Sequence, residues 1–205
     1  MEDGIKNKSS YSPVSGDILF QDLDCGALCS AIEEVTLGFD SAEFSHIGLV
    51  QEVDGKWMVL EAISEGVKYT PLDDFLKRSL DSEGRPKIWV GRVKRKYQPL
   101  LAKLNVTDYM GLPYDDVFIM NNGKYYCSEL LYEIFKKANN NKPFFELEPM
   151  TFKSPKSNAF LEVWLDYYRK LNRKIPEGKA GINPAGISRS SKIEIVQKLG
   201  TVSKK

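Results

Sequence analysis

The chain has 205 residues, of which 42% are hydrophobic, and its 29 basic and 28 acidic residues leave a formal net charge of +1. This balance indicates neither a nucleic-acid-binding surface nor an acidic disordered tail. Mean hydropathy is −0.35, and no apolar run approaches the roughly 20 residues that a membrane-spanning helix needs. We therefore expect one compact domain with a sizeable core.

The N-terminal sequence, MEDGIKNKSSYSP, lacks the basic and apolar regions of a signal peptide. We expect residues 1–12 to be disordered or tag-like and residues 13–205 to form the single domain. For localisation we expect a protein of the periplasm or cell envelope whose signal peptide is absent from this sequence, with a cytoplasmic protein as the alternative.

Strand-like runs lie mainly in the first half of the chain. In chain order, this half predicts a strand at 16–20, a helix at 24–37, strands at 46–53 and 56–63, a strand at 66–70, a helix at 71–80 and a strand at 86–93. The Asp54-Gly55 pair between two apolar runs is a strong signal for a β-hairpin.

Helical spacing of apolar residues dominates the second half. It predicts helices at 99–110, 127–138 and 158–171, followed by a tail that begins as loop and ends as a strand or short helix. Strands followed by flanking helices indicate an α+β fold with a mostly antiparallel sheet.

Cys127 lies in the first turn of the predicted helix YYCSELLYEIF and has two interpretations. A free cysteine packs well as a small buried hydrophobe, so it can be a core residue. Alternatively it is a nucleophile, because the partial positive charge of a helix N-terminus stabilises an anion. A thiol in that position can lose its proton near neutral pH.

His46 is the only histidine of the chain and begins the first strand of the hairpin. A lone histidine is more often structural or exposed than catalytic. A thiol nucleophile nevertheless needs a basic or cationic partner, and imidazole titrates closest to neutrality. If Cys127 is catalytic, His46 is its candidate partner. The order of the two along the chain is no obstacle, since such sites are defined by geometry.

Glu61 is the candidate for a third group that orients the imidazole. A turn centred on Asp54-Gly55 places His46 opposite residue 63, which makes Glu61 a diagonal neighbour on the same face. A carboxylate within the apolar run WMVLEAI is costly unless it has a partner. The alternative is an exposed glutamate on an edge strand.

The remaining cysteines, Cys25 and Cys29, have the spacing of one helix face. We expect both to be buried, unreactive helix residues, because two cysteines four apart on a helix are close to the limit of disulfide geometry. Three cysteines are too few for a disulfide framework. With one histidine, a Cys/His zinc site is not expected either.

Five segments, read together, carry a family resemblance. GDILF, SHIGLV, GLPYD..F, YYCSELLY and EGKAGINPAGISRS, in this order, resemble the YiiX/YebB-like group of the NlpC/P60 superfamily. The resemblance covers residues 13–195. It implies a circularly permuted papain-like fold and a cysteine amidase or peptidase activity. Permutation of the chain accounts for a histidine that precedes the cysteine.

The resemblance also implies roles for individual residues. Cys127 becomes the nucleophile, His46 the base and Glu61 the polar third member. Tyr114, in the PYD element, lines the substrate cleft or positions a substrate group, although a core aromatic in a turn is an equally good interpretation. No metal or organic cofactor is required.

The substrate is less well defined. The resemblance allows a cell-wall peptide or a lipid-linked acyl group, hence a peptide or lipid-linked small-molecule partner, with no nucleic acid and no transmembrane segment. The aromatic residues Phe144, Phe145 and Phe152 would suit an acyl chain, but a core position is favoured. Two alternatives remain: an acyltransferase of the lecithin retinol acyltransferase type, and a non-catalytic module that binds ligands in the groove.

Overall fold

The computed structural model describes residues 11–205. The predicted N-terminal stretch, residues 1–12, lies outside the described residues except for its last two. One of these, Tyr11, donates a hydrogen bond from its hydroxyl to Asp17 Oδ2 at 2.8 Å.

A six-stranded antiparallel sheet forms the centre of the molecule, with the strand order β4-β3-β2-β1-β5-β8. Its strands are β1 (Ile18–Gln21), β2 (His46–Val53), β3 (Lys56–Ile63), β4 (Gly66–Pro71), β5 (Ile88–Val93) and β8 (Ile193–Lys198). A small second sheet pairs β6 (Glu148–Pro149) with β7 (Ala180–Gly181). The α+β, mostly antiparallel fold predicted from the sequence is confirmed.

The β2–β3 hairpin has the predicted register. Val53 pairs with Lys56 and Leu49 with Leu60, so the turn is centred on Asp54 and Gly55. Both turn residues adopt positive φ, 50° and 72°, as a type I′ turn requires.

The helices flank the sheet. They are α1 (Ala27–Val35), α2 (Leu72–Lys77), α3 (Cys127–Ala138), α4 (Glu162–Lys170) and α5 (Pro184–Ser188). The bounds of α3 are those predicted. The helix predicted at 99–110 is wrong: two 3-10 helices, Arg95–Lys103 and Thr107–Tyr109, occupy this region. Pro99 lies within the first and has no N–H to donate to an α-helical ladder.

Each face of the sheet has its own apolar core, because side chains alternate along a strand. On one face Leu49 and Leu60 pack with Leu131 of α3. On the other face Val50 and Val59 pack with α2. Phe144, Phe145 and Phe152 are 2%, 2% and 4% exposed, which agrees with the core interpretation, although each also lines a cavity.

Cys25 and Cys29 form a disulfide, so the expectation of two unbonded, buried helix cysteines is wrong. The helix begins only at Ala27, and Gly26 before it has a φ of +79°. Cys25 therefore lies outside the helix and is exposed. The Cα–Cα distance of 5.4 Å falls within the usual range for a disulfide.

This pairing predicts the number of thiols that react under denaturing conditions. Without reductant, iodoacetamide should add one group per chain, on Cys127, and after reduction it should add three. Intact-mass spectrometry measures both numbers. Three additions to oxidatively purified protein without reductant would show that Cys25 and Cys29 are not bonded.

Candidate active site

The first turn of α3 holds Cys127 in a nearly buried position, with 7% of the residue exposed. Two hydrogen bonds fix the helix start against Ile182. Ser128 Oγ donates to the Ile182 carbonyl at 2.9 Å, and the Ile182 N–H donates to Tyr126 Oη at 3.2 Å. The residues on both sides of Cys127 are thus tied to the backbone of the same residue, Ile182.

His46 is the first residue of β2 and is 6% exposed, while Glu61 of β3 is fully buried. His46 Nε2 lies 2.7 Å from Glu61 Oε2. The geometric expectation that Glu61 approaches the imidazole is therefore confirmed. The alternative of an exposed edge-strand glutamate is wrong.

His46 and Cys127 line the same cleft. Burial alone would lower the pKa of His46. The interactions of the ring with Cys127 and Glu61 outweigh that penalty and raise the pKa to about 9. At neutral pH the ring is consequently an imidazolium. The structure brings all three predicted residues together, and their catalytic roles stay predictions.

Glu61 keeps its negative charge despite complete burial. Burial acts to raise its pKa, but hydrogen bonds from Arg78, His46 and Thr70 lower it to about 2. Arg78 is bidentate: its Nη1 donates to Glu61 Oε2 at 2.7 Å and its Nη2 contacts Glu61 Oε1. Thr70 Oγ1 donates to Glu61 Oε1 at 2.5 Å.

Two contacts of Glu61, Arg78 and Thr70, are not predicted by the sequence. Arg78 follows α2 directly, and its guanidinium lies 5.1 Å from the centre of the Phe75 ring. The sequence did indicate that a cation was needed, because a carboxylate buried in an apolar strand requires a positively charged partner in addition to an imidazole. Nothing in the sequence distinguished Arg78 from the other basic residues, because the pairing depends on how α2 packs beside β3.

Tyr114 is half-buried and lines a cleft of about 630 Å³ together with His46 and Cys127. Its burial, and next the charge of the neighbouring Cys127, raise the pKa of its phenol well above the ordinary value. A cleft position therefore replaces the interpretation of Tyr114 as a core aromatic. Binding of substrate by this residue stays a prediction.

The wall of this cleft is mainly apolar. Side chains from α1, α4 and two connecting segments form it: Leu28, Ile32, Phe118, Met150, Phe152, Trp164 and Tyr167. The disulfide-bonded Cys25 and Cys29 also line it. The arrangement thus combines a thiol, an imidazolium and a buried carboxylate with an apolar chamber.

Comparison with known proteins relates this chain to one family and to YiiX of Escherichia coli. Residues 12–197 match the model of a family described as permuted papain-like amidases, YaeF/YiiX, C92 family. The uncharacterized protein YiiX of Escherichia coli strain K12 is 25% identical over 191 residues, which are 92% of this chain and 88% of that protein. A crystal structure of YiiX from Escherichia coli O157:H7, described as a metalloprotein, is 26% identical with a TM-score of 0.73, covering 93% of this chain and 100% of that one.

The raised pKa of His46 can be tested directly by proton NMR, because a chain with a single histidine shows a single imidazole titration. The midpoint should lie near 9 and not near the ordinary 6.5. A raised pKa stabilises the folded state fully below pH 6.5, and this contribution is lost as pH rises through 9. In Glu61→Gln the midpoint should fall. A wild-type midpoint near 6.5 would contradict the described contacts.

Arg78→Met should destabilise the protein, because it removes the bidentate partner of a carboxylate that has no access to water. We expect a loss of about 3 kcal/mol in the free energy of unfolding, measured by urea denaturation. Arg169→Met is the matched control, since the Arg169–Asp166 pair is largely exposed and should contribute nothing measurable. Equal stability of both variants would show that Glu61 does not depend on Arg78.

Proposed function

This chain belongs to the permuted papain-like amidase family of YaeF and YiiX, a family of thiol hydrolases, and from this premise we propose that Cys127, His46 and Glu61 form its catalytic site. The observation that carries the proposal is the pair formed by the His46 imidazole and the buried Glu61 carboxylate, in the same cleft that Cys127 lines. A thiol near a base that a carboxylate orients is the arrangement that nucleophilic catalysis needs.

In the proposed reaction, the Cys127 thiolate attacks the carbonyl carbon of an amide, and His46 holds the proton that the thiol has lost. The Cys127 N–H, in the first turn of α3, has no carbonyl partner within the helix and is available to the oxyanion. His46 then protonates the departing nitrogen. Cleavage of the C–N bond leaves a thioester on Cys127 and frees an amine.

Water completes the cycle. Neutral His46 takes a proton from the attacking water, which adds to the thioester carbonyl and releases a carboxylic acid and the Cys127 thiol. The sum is one amide and one water converted to one acid and one amine. Glu61 balances the positive charge on His46 whenever the ring is protonated, and Arg78 and Thr70 hold that carboxylate in place.

The cleft supports a substrate with an apolar acyl group. Its aromatic and aliphatic wall adjoins Cys127, and Tyr114 lies beside the thiol with a hydroxyl available to a polar group of the substrate. This favours the lipid-linked acyl substrates over cell-wall peptides. We keep transfer of the acyl group to an acceptor other than water as the alternative outcome of the same thioester.

The proposed reaction is written with side chains and backbone of this chain. The E. coli YiiX structure is described as that of a metalloprotein; among residues 11–205 of this chain, no group of three or more His, Cys, Asp or Glu side chains is placed to hold a metal ion.

We also propose that the protein functions in an oxidising compartment. The Cys25–Cys29 disulfide supports it, since such bonds persist in the periplasm and outside the cell more than in the cytosol. In the described part of the chain, no helix has the length and apolar character needed to cross a bilayer.

Cys127→Ser should abolish hydrolysis of a fluorogenic octanoyl amide while thermal unfolding stays close to wild type, because the two side chains are similar in size. Glu61→Gln should retain the fold and lose about tenfold to a thousandfold in kcat/KM, since a neutral amide stabilises the imidazolium less well.

Glu65→Gln is the matched control for the second variant, because Glu65 is exposed in the turn between β3 and β4. Wild-type rates in Cys127→Ser would end the proposal, whereas a wild type that binds the amide in the cleft without hydrolysing it would support the groove-binding alternative. A rate in Glu61→Gln equal to that of Glu65→Gln would leave a site of Cys127 and His46 alone.

A further inference from the structure

A second cavity of about 300 Å³ adjoins the cleft that contains Cys127. The two share Glu148, Ile182, Asn183 and Arg189 as lining residues. They are therefore neighbouring chambers, and a ligand bound across the shared residues would reach both.

Cys127 lies close to the junction of the chambers. Ile182 belongs to both of them and is hydrogen-bonded to the residues before and after the thiol, through Tyr126 Oη and Ser128 Oγ. A bond attacked by Cys127 therefore lies near the boundary, with one half of the substrate on each side.

The two chambers differ in chemistry. The large cleft is walled mainly by aromatic and aliphatic side chains, including Phe118 and Trp164. The small cavity carries charged and hydroxyl groups, among them Ser190 and Lys192. A substrate matched to both halves is amphiphilic, with its scissile bond between an apolar and a polar part.

Arg189 is the cation at the boundary. Its Nη2 lies 3.2 Å from Glu148 Oε2, and the two side chains are 42% and 59% exposed. An ion pair this open to water contributes little and exchanges partners readily. A carboxylate on the substrate can replace Glu148 and form the bidentate contact that a guanidinium favours.

We propose that the substrate is an N-acyl amino acid, with its alkyl chain in the large cleft and its carboxylate on Arg189 at the small cavity. This inference rests on the proposed function. Cys127 attacks the acyl carbonyl, the amino acid leaves as the free amine after protonation by His46, and water releases the fatty acid from the thioester. Both products result from one amide and one water.

A matched pair of substrates tests the carboxylate. N-octanoylglycine and N-octanoylglycinamide have nearly the same size and differ in one negative charge. The wild-type enzyme should show a kcat/KM about fivefold higher for the acid, the effect of a partly exposed charge contact. Release of glycine or glycinamide, measured with an amine-reactive dye after separation, gives both rates.

Variants assign the preference to Arg189. Arg189→Met should bring the ratio of the two kcat/KM values to about one, as expected when the charge contact is removed. Arg169→Met, an exposed arginine of α4 that lines neither chamber, should keep the wild-type ratio. Glu148→Gln should raise the ratio, because it removes the carboxylate that competes for Arg189. A wild-type ratio of one, or a ratio unchanged in Arg189→Met, would overturn the inference.

The outcomes separate this inference from the proposed function. If the enzyme hydrolyses both substrates through Cys127 but with equal kcat/KM, only the assignment of an N-acyl amino acid as substrate is overturned. If the wild type cleaves neither substrate, the proposed function fails for simple acyl amides, and binding then decides the assignment. Calorimetry with Cys127→Ser should show tighter binding of N-octanoylglycine than Cys127→Ser/Arg189→Met, and equal affinities would overturn it.

Discussion

Glu61 carries a negative charge at a position with no access to water, and the arrangement of the site follows from how that charge is balanced. Arg78 donates to both carboxylate oxygens, Thr70 donates to Oε1, and His46 contacts Oε2. A buried ion without such partners would be strongly destabilising. The same contacts that make the buried carboxylate tolerable also fix the orientation of the imidazole and favour its protonated form.

This electrostatic arrangement depends on two parts of the fold that are far apart in sequence. The β2–β3 hairpin presents His46 and Glu61 on neighbouring strands. Helix α3 presents Cys127, and hydrogen bonds to Ile182 hold its first turn in place. The reacting groups thus come from a sheet and a helix terminus, rigid elements that keep their distances without the ordering cost of a loop.

Most of the apolar wall of the cleft comes from outside the sheet. Helices α1 and α4 share a small, mainly aromatic core that includes Trp164 and Tyr168, and Trp164 together with residues beside that core forms the cleft wall. The Cys25–Cys29 disulfide closes the start of α1. The charged residues of the site and the apolar wall of the cleft therefore come largely from different elements, which meet at Cys127. Substitutions in the wall can thus change the range of substrates without altering the ion pairs.

The sequence by itself determined the elements whose signals are local. The Asp54-Gly55 turn set the register of the hairpin and hence the proximity of His46 and Glu61, because register depends on the turn alone. Apolar periodicity located α3, and its first turn identified Cys127 as a candidate. Motif order indicated the permuted papain-like fold, which the family match bears out.

Only the tertiary structure decided the contacts between elements. The Arg78–Glu61 pair depends on the packing of α2 beside β3, and the chamber boundary at Arg189 depends on where the residue after α5 meets Glu148 of β6. The Cys25–Cys29 bond required a helix start two residues beyond Cys25, set by the positive φ of Gly26. Periodicity describes which face a residue occupies along one element, whereas these contacts depend on where separate elements meet, which no local pattern encodes.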